Sequence, residues 1–227
     1  MNVLIFLLVS MWEWFSVIIL AFALYRFQIR DHLGQLIFAS FLLALFSYMV
    51  FNVFHLVLFA TLIEPIMVFL FFWLMFKIPI YYAGLVVING YLTYCFITSF
   101  IYYGIEQFGI KTYPSTPTAY AVQISAGLIV LLLTRLFLKL RLGFSFVQYG
   151  QEIKNMTGIN KKLLLITLLG YVALSSFNFL YFGANYTVLV IIIMFVAFGL
   201  IQYWTLKKEH EAAFRLRHKK YKYDIDA

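Results

Sequence analysis

The chain has 227 residues, of which 64% are hydrophobic, 21% aromatic and only 11% charged, with a formal net charge of +8. Soluble domains are nearer ~45–50% apolar and ~25% charged. One soluble core of this length is too small to hide so many Phe, Leu and Ile side chains, so the bilayer is the remaining solvent. That excludes a soluble enzyme and a soluble nucleic-acid-binding domain, and indicates an all-α polytopic membrane bundle.

A spanning helix takes about 20 apolar residues, and seven segments qualify in chain order: 3–25, 35–55, 57–76, 80–104, 119–138, 163–182 and 186–206. The first lacks a basic lead and is long enough to span, so it reads as a helix rather than a cleavable signal. Residues 35–76 form one apolar stretch sufficient for two spans. A hairpin is placed near His55 to Leu58, with Glu64-Pro65 as a competing break. The loop "IEQFGIKTYPSTPT" before the fifth span is turn-rich. The one after it, "RLGFSFVQYGQEIKNMTGINKK", mixes aromatics with lysine as interfacial segments do. Residues 1–206 are read as the bundle and 207–227 as a basic cytoplasmic tail.

Orientation follows from the Lys and Arg of the short loops. With the N-terminus outside, Arg26, Arg30, Lys77, Lys139, Arg141, Lys154, Lys161 and Lys162 all fall inside, and only Lys111 is left outside. The expected topology is N-out and C-in.

Ionisable groups within spans are expensive and therefore candidate functional groups. Glu13 in "MWEWF" lies 13 residues before Arg26, and Glu64 in "LIEPI" lies 13 before Lys77. At 1.5 Å per residue both sit about 20 Å above the inner face, while Asn52, His55, Gln123 and Asn178 come out at about 25 to 30 Å. The inner half of the bundle holds less, chiefly Asn89. Two readings stand side by side: an outward-facing polar cavity whose acids attract a cation or the positive end of a ligand, and hydrogen-bonding glue between helices. Glutamine would serve as glue at lower cost than glutamate. Cys95, the single cysteine, reads as core packing, and Trp12, Trp14 and Trp73 as packing and interface anchors. No nucleophile, acid–base set or metal-ligand spacing stands out, so neither an enzyme nor a cofactor is expected.

The last span runs without Gly or Pro into "LKKEHEAAFRLRHKKYKYDIDA". Lys207, Lys208, Arg215, Arg217, Lys219, Lys220 and Lys222 would lie along the anionic headgroups of the inner leaflet. Membrane phosphates are closer to this short tail than any nucleic acid, which is not an expected partner.

The apolar spans, "FKIPIYYAGLVVINGYL" after the third of them, "LRLGFSF" after the fifth and the helical basic exit together resemble a known family. It is the transmembrane sensor region of Gram-positive peptide-sensing receptor histidine kinases, the accessory-gene-regulator type. In those kinases the exit helix leads to a phosphorylated His in a pattern like R-L-R-H-D-x-x-N. Here "RLRH" ends at His218, but Lys219 replaces the acid and Lys222 the Asn. The resemblance therefore implies a non-enzymatic sensor or regulatory protein of the bacterial cytoplasmic membrane. Its partners would be the lipid bilayer, a peptide or small cationic ligand outside, and a cytoplasmic signalling protein or a second copy. A small-molecule binding or transport subunit is the other expectation.

Overall fold

The structure is a computed structural model that describes residues 3–110, 112–113, 116–147, 158–184 and 186–225, with backbone alone at 158–159 and 215–225. It is 86% helical, with no strand among the described residues, and seven of its helices are long and apolar enough to cross a membrane. They are α1 (Val3–Leu24), α2 (Leu33–Tyr48), α3 (Ala60–Leu70), α4 (Ile80–Gln107), α5 (Pro117–Lys139), α6 (Gly158–Asn178) and α7 (Thr187–Ile225). The wider π-type turns Met49–Val53, Phe71–Met75 and Phe179–Gly183 extend α2, α3 and α6.

The helix boundaries have local causes. Pro79 caps α4, where its missing N–H costs nothing. Thr116 Oγ1 accepts from the Ala119 N–H, and Pro117 opens α5. The hairpin between α2 and α3 turns at His55, which takes a left-handed backbone with φ 57°. Pro65 does not break the chain there. It lies inside α3, removes one backbone donor, and the helix continues past it. Arg26, Lys77 and Arg141 take the same left-handed conformation just past α1, α3 and α5, a role usually given to glycine. In each of the three the basic side chain stands where the helix dipole favours a positive charge.

α4 is the axis of the bundle: 72% of its apolar window is buried, against 22% for α7. It packs against α1, α3, α5, α6 and α7, while α1 also packs against α2 and α5. Close approach needs small residues, since bilayer gives helices no hydrophobic drive to associate. A Cβ built on Gly90 of α4 would lie 2.7 Å from the Ala21 Cβ, and one on Gly127 of α5 would run into the Trp12 indole nitrogen.

The helices alternate, which gives the bundle two unlike ends. One holds the start of α1, the His55 hairpin, the α4–α5 loop and the start of α7. The other gathers Arg26, Arg30, Lys77, Lys139, Arg141, Lys161, Lys162, Lys207 and Lys208. At this basic end the loop after α5 is tied on both sides. Phe144 N–H donates to the Leu24 carbonyl at 2.7 Å, and Arg26 Nη2 to the Arg141 carbonyl at 2.6 Å. From α7, the Glu209 carboxylate accepts from Ser145 N (2.8 Å), Ser145 Oγ (2.6 Å) and Phe146 N (3.1 Å).

Candidate functional site: a two-carboxylate cavity

The half of the bundle opposite the basic end holds a cavity of about 90 Å³, lined from α1, α2, α3, α4, α5 and α6. Glu13 and Glu64 both line it. Each carboxylate takes one protein donor per oxygen. Glu13 accepts from Tyr94 OH and from Gln123 Nε2, both at 2.8 Å. Glu64 accepts from Ser47 Oγ at 2.6 Å and Tyr91 OH at 3.0 Å. Ser47 in turn accepts from the Trp14 indole at 2.9 Å. An ionised carboxylate offers about four lone-pair sites, so each keeps capacity after these bonds.

The donors come from helices packed around the two acids, which explains the arrangement. Residues 91, 94, 95, 98 and 102 of α4 recur at helical spacing and present one face to the cavity. Ser10, Glu13, Trp14 and Val17 do the same from α1. The walls are aromatic, with Phe6, Trp14, Phe51, Tyr91, Tyr94 and Tyr102 among them. None of the described lining residues is Lys, Arg or His. Two lining atoms, Gln123 Oε1 and Tyr120 OH, are buried with no hydrogen-bond partner among the described residues. The cavity thus presents two acids, a spare amide acceptor and π faces, and no positive charge among the described residues that line it.

The cavity brings together four of the six polar residues expected at a site: Glu13, Glu64, Gln123 and Asn178. Asn178 also donates to the Val57 carbonyl at 2.8 Å, tying α6 to the hairpin. Asn52 and His55 do not line it. Asn52 sits in the Met49–Val53 turn with its amide nitrogen buried and without a partner among the described residues, and His55 is exposed at the hairpin. Cys95 and Trp14, read from the sequence as packing residues, are buried and line the cavity. Ser47, Tyr91 and Tyr94 carried no sequence signal beyond being polar groups in apolar helices.

In the basic half, the Asn89 expected there is joined by Tyr25 and Gln202. Asn89 donates to Tyr25 OH at 3.0 Å and accepts from Gln202 Nε2 at 2.7 Å, a buried link joining α4 to the end of α1 and to α7. Of the tail residues, Lys207 lies 4.9 Å from the Trp204 ring centre. Lys208 is buried and pairs with Glu211 at 3.1 Å. The side chains of Arg215, Arg217, Lys219, Lys220 and Lys222 lie outside the described residues; the backbone there continues α7 without interruption past position 206. Among the described residues no group of three or more His, Cys, Asp or Glu side chains is placed to hold a metal ion.

No protein-family model, curated protein or solved structure matches the chain.

Proposed function

We propose that this is a non-enzymatic sensor or regulatory protein of a bacterial cytoplasmic membrane, oriented N-out and C-in. Its Glu13–Glu64 cavity receives the positively charged tip of a ligand from outside. The observation that carries the reading is the pairing of two acids in one aromatic cavity with no basic residue among its described lining residues. Interhelical glue accounts for the four hydrogen bonds, but not for two acids on one cavity or for the spare acceptor of Gln123.

The chemistry narrows the ligand class. Carboxylates and an amide oxygen accept hydrogen bonds, so a cation bearing N–H groups, an ammonium or a guanidinium, satisfies them where a quaternary ammonium does not. The aromatic walls favour either cation. The space suits one such group or a few water molecules, not a whole peptide. A peptide would insert a Lys, Arg or N-terminal tip and keep its bulk beyond the cavity. Orientation rests on the basic end, which positive-inside asymmetry assigns to the cytoplasm. The signal's route is then α7, which is bonded through Gln202 to Asn89 and through Glu209 to the loop after α5.

Titration followed by intrinsic tryptophan fluorescence tests this, because Trp14 lines the cavity. Nα-Acetylarginine methyl ester should give a saturable change, and its uncharged isostere Nα-acetylcitrulline methyl ester none. Tetramethylammonium should bind more weakly than methylammonium. The Glu13→Gln/Glu64→Gln double variant should lose the arginine response while keeping its abundance. A response shared equally by the uncharged isostere, or undiminished in the double variant, would return both acids to a packing role.

A further inference from the structure

A second, separate feature opens sideways between α3, α4 and α6. It is a groove of about 510 Å³ whose walls include Phe69 of α3, Ile80 and Gly84 of α4, and Leu164 and Leu168 of α6. Its polar groups are already satisfied by backbone. Tyr81 OH donates to the Asn160 carbonyl at 2.7 Å, Thr167 Oγ1 to the Leu163 carbonyl at 2.8 Å, and Tyr171 OH to the Leu62 carbonyl at 2.7 Å. Whatever enters the groove therefore meets hydrocarbon. On α6 its lining runs from Leu164 to Tyr171, about 10 Å at 1.5 Å per residue. A seam for a second transmembrane helix would run much of the roughly 30 Å hydrocarbon thickness.

The end of the groove at Ile80 and Leu164 lies toward the basic end of the bundle. Lys161, Leu164, Leu168 and Tyr171 follow one another at positions i, i+3, i+7 and i+10, which is one face of α6. Lys161 is exposed at the end of that face nearest the basic end. The connector from α3 to α4 closes the same end and carries the exposed Lys77 on a left-handed backbone. Lys162, next to Lys161, instead lies over the Trp204 ring on α7.

We infer that this groove is a binding site for one anionic phospholipid, with an acyl chain between α3, α4 and α6 and its phosphate at Lys77 and Lys161. The lipid would touch α3 at Pro65, the residue after Glu64, so it braces the helix that carries one of the two cavity acids. Gly84 leaves the site open: a Cβ built there has Phe69 as its nearest neighbour, at 3.9 Å.

Native mass spectrometry of the full chain released from nanodiscs of equimolar phosphatidylglycerol and phosphatidylcholine tests the assignment. One phosphatidylglycerol per chain should be retained. With about fivefold from each lysine, its preference over phosphatidylcholine should be up to about thirtyfold at low salt. Lys77→Gln/Lys161→Gln should erase the preference while a lipid is still held. Gly84→Leu should fill the groove and cut retention of either lipid several-fold. Leu168→Trp, at an exposed wall position, does the same if Gly84→Leu fails to fold. Equal retention of the two lipids by the parent chain would overturn the inference, as would retention unchanged by the groove-filling variants. A dimer abolished by those variants would also overturn it, giving the groove to a second copy.

Discussion

Ser47 shows how closely the cavity depends on residues of small individual cost. Its hydroxyl donates to Glu64 at 2.6 Å and accepts from the Trp14 indole at 2.9 Å, so it links α1, α2 and α3 through a single oxygen. Ser47→Ala leaves a buried indole N–H without its acceptor and Glu64 without one of its two donors. Losing a buried partner costs about 1–3 kcal/mol in water-soluble proteins, whereas interhelical bonds within membranes average about 0.6 kcal/mol with a maximum near 1.7. With two partners affected, about 1–2 kcal/mol is expected, seen as a lower melting temperature of the purified protein in detergent. Ser47→Thr keeps the hydroxyl and should fall well short of that loss. The two acids were legible in the sequence because a charge in a span is rare enough to be noticed. Ser47, Tyr91 and Tyr94 were not, because serine and tyrosine are ordinary in such helices. Their role arises from which way each helix is turned, and depth along a helix does not determine that. His55 illustrates the same limit. Its depth matched the cluster, but it ends in the exposed left-handed turn of the hairpin.

Helix positions followed closely from hydropathy, since length and apolar content alone decide what can span a bilayer. The ends were harder to read. Glycine marks a left-handed cap in most sequences, and here Arg26, His55, Lys77 and Arg141 take its place. The continuity of α7 through position 206 was legible in the lack of Gly or Pro. The clamp on it was not, because Glu209 and Ser145 are 64 residues apart and meet only through the fold. That clamp carries a prediction. Glu209→Ala removes the acceptor of two backbone N–H groups and one hydroxyl, so hydrogen exchange at Ser145 and Phe146 should quicken by about tenfold, the loss of roughly 1.4 kcal/mol of local protection. The same amides in Ser47→Ala should stay as in the parent. Unchanged exchange in Glu209→Ala would mean that the loop is held by the Phe144–Leu24 and Arg26–Arg141 bonds without it.

Taken whole, the molecule is polarised: basic groups at one end, a two-acid cavity in the opposite half, and a central helix, α4, that contributes to both the cavity and the Asn89 link. The proposed orientation turns the half of the bundle that holds the cavity toward the outside. In a Cys95→Ser background, a cysteine at exposed Gln107 should react with an impermeant maleimide in intact cells, and one at exposed Lys161 only after the cells are opened. The reverse pattern would turn the cavity toward the cytoplasm and remove the basis for an external ligand. The central claim is that both acids act on one cation, and a double-mutant cycle on Nα-acetylarginine methyl ester affinity tests it most directly. Glu13→Gln and Glu64→Gln should each weaken binding by at least about tenfold, as the loss of a hydrogen bond to a charged group does. Their effects should depart from additivity by more than about 0.5 kcal/mol, since both contact the same bound group. Affinities in both single variants and the double variant equal to that of the parent would contradict the account.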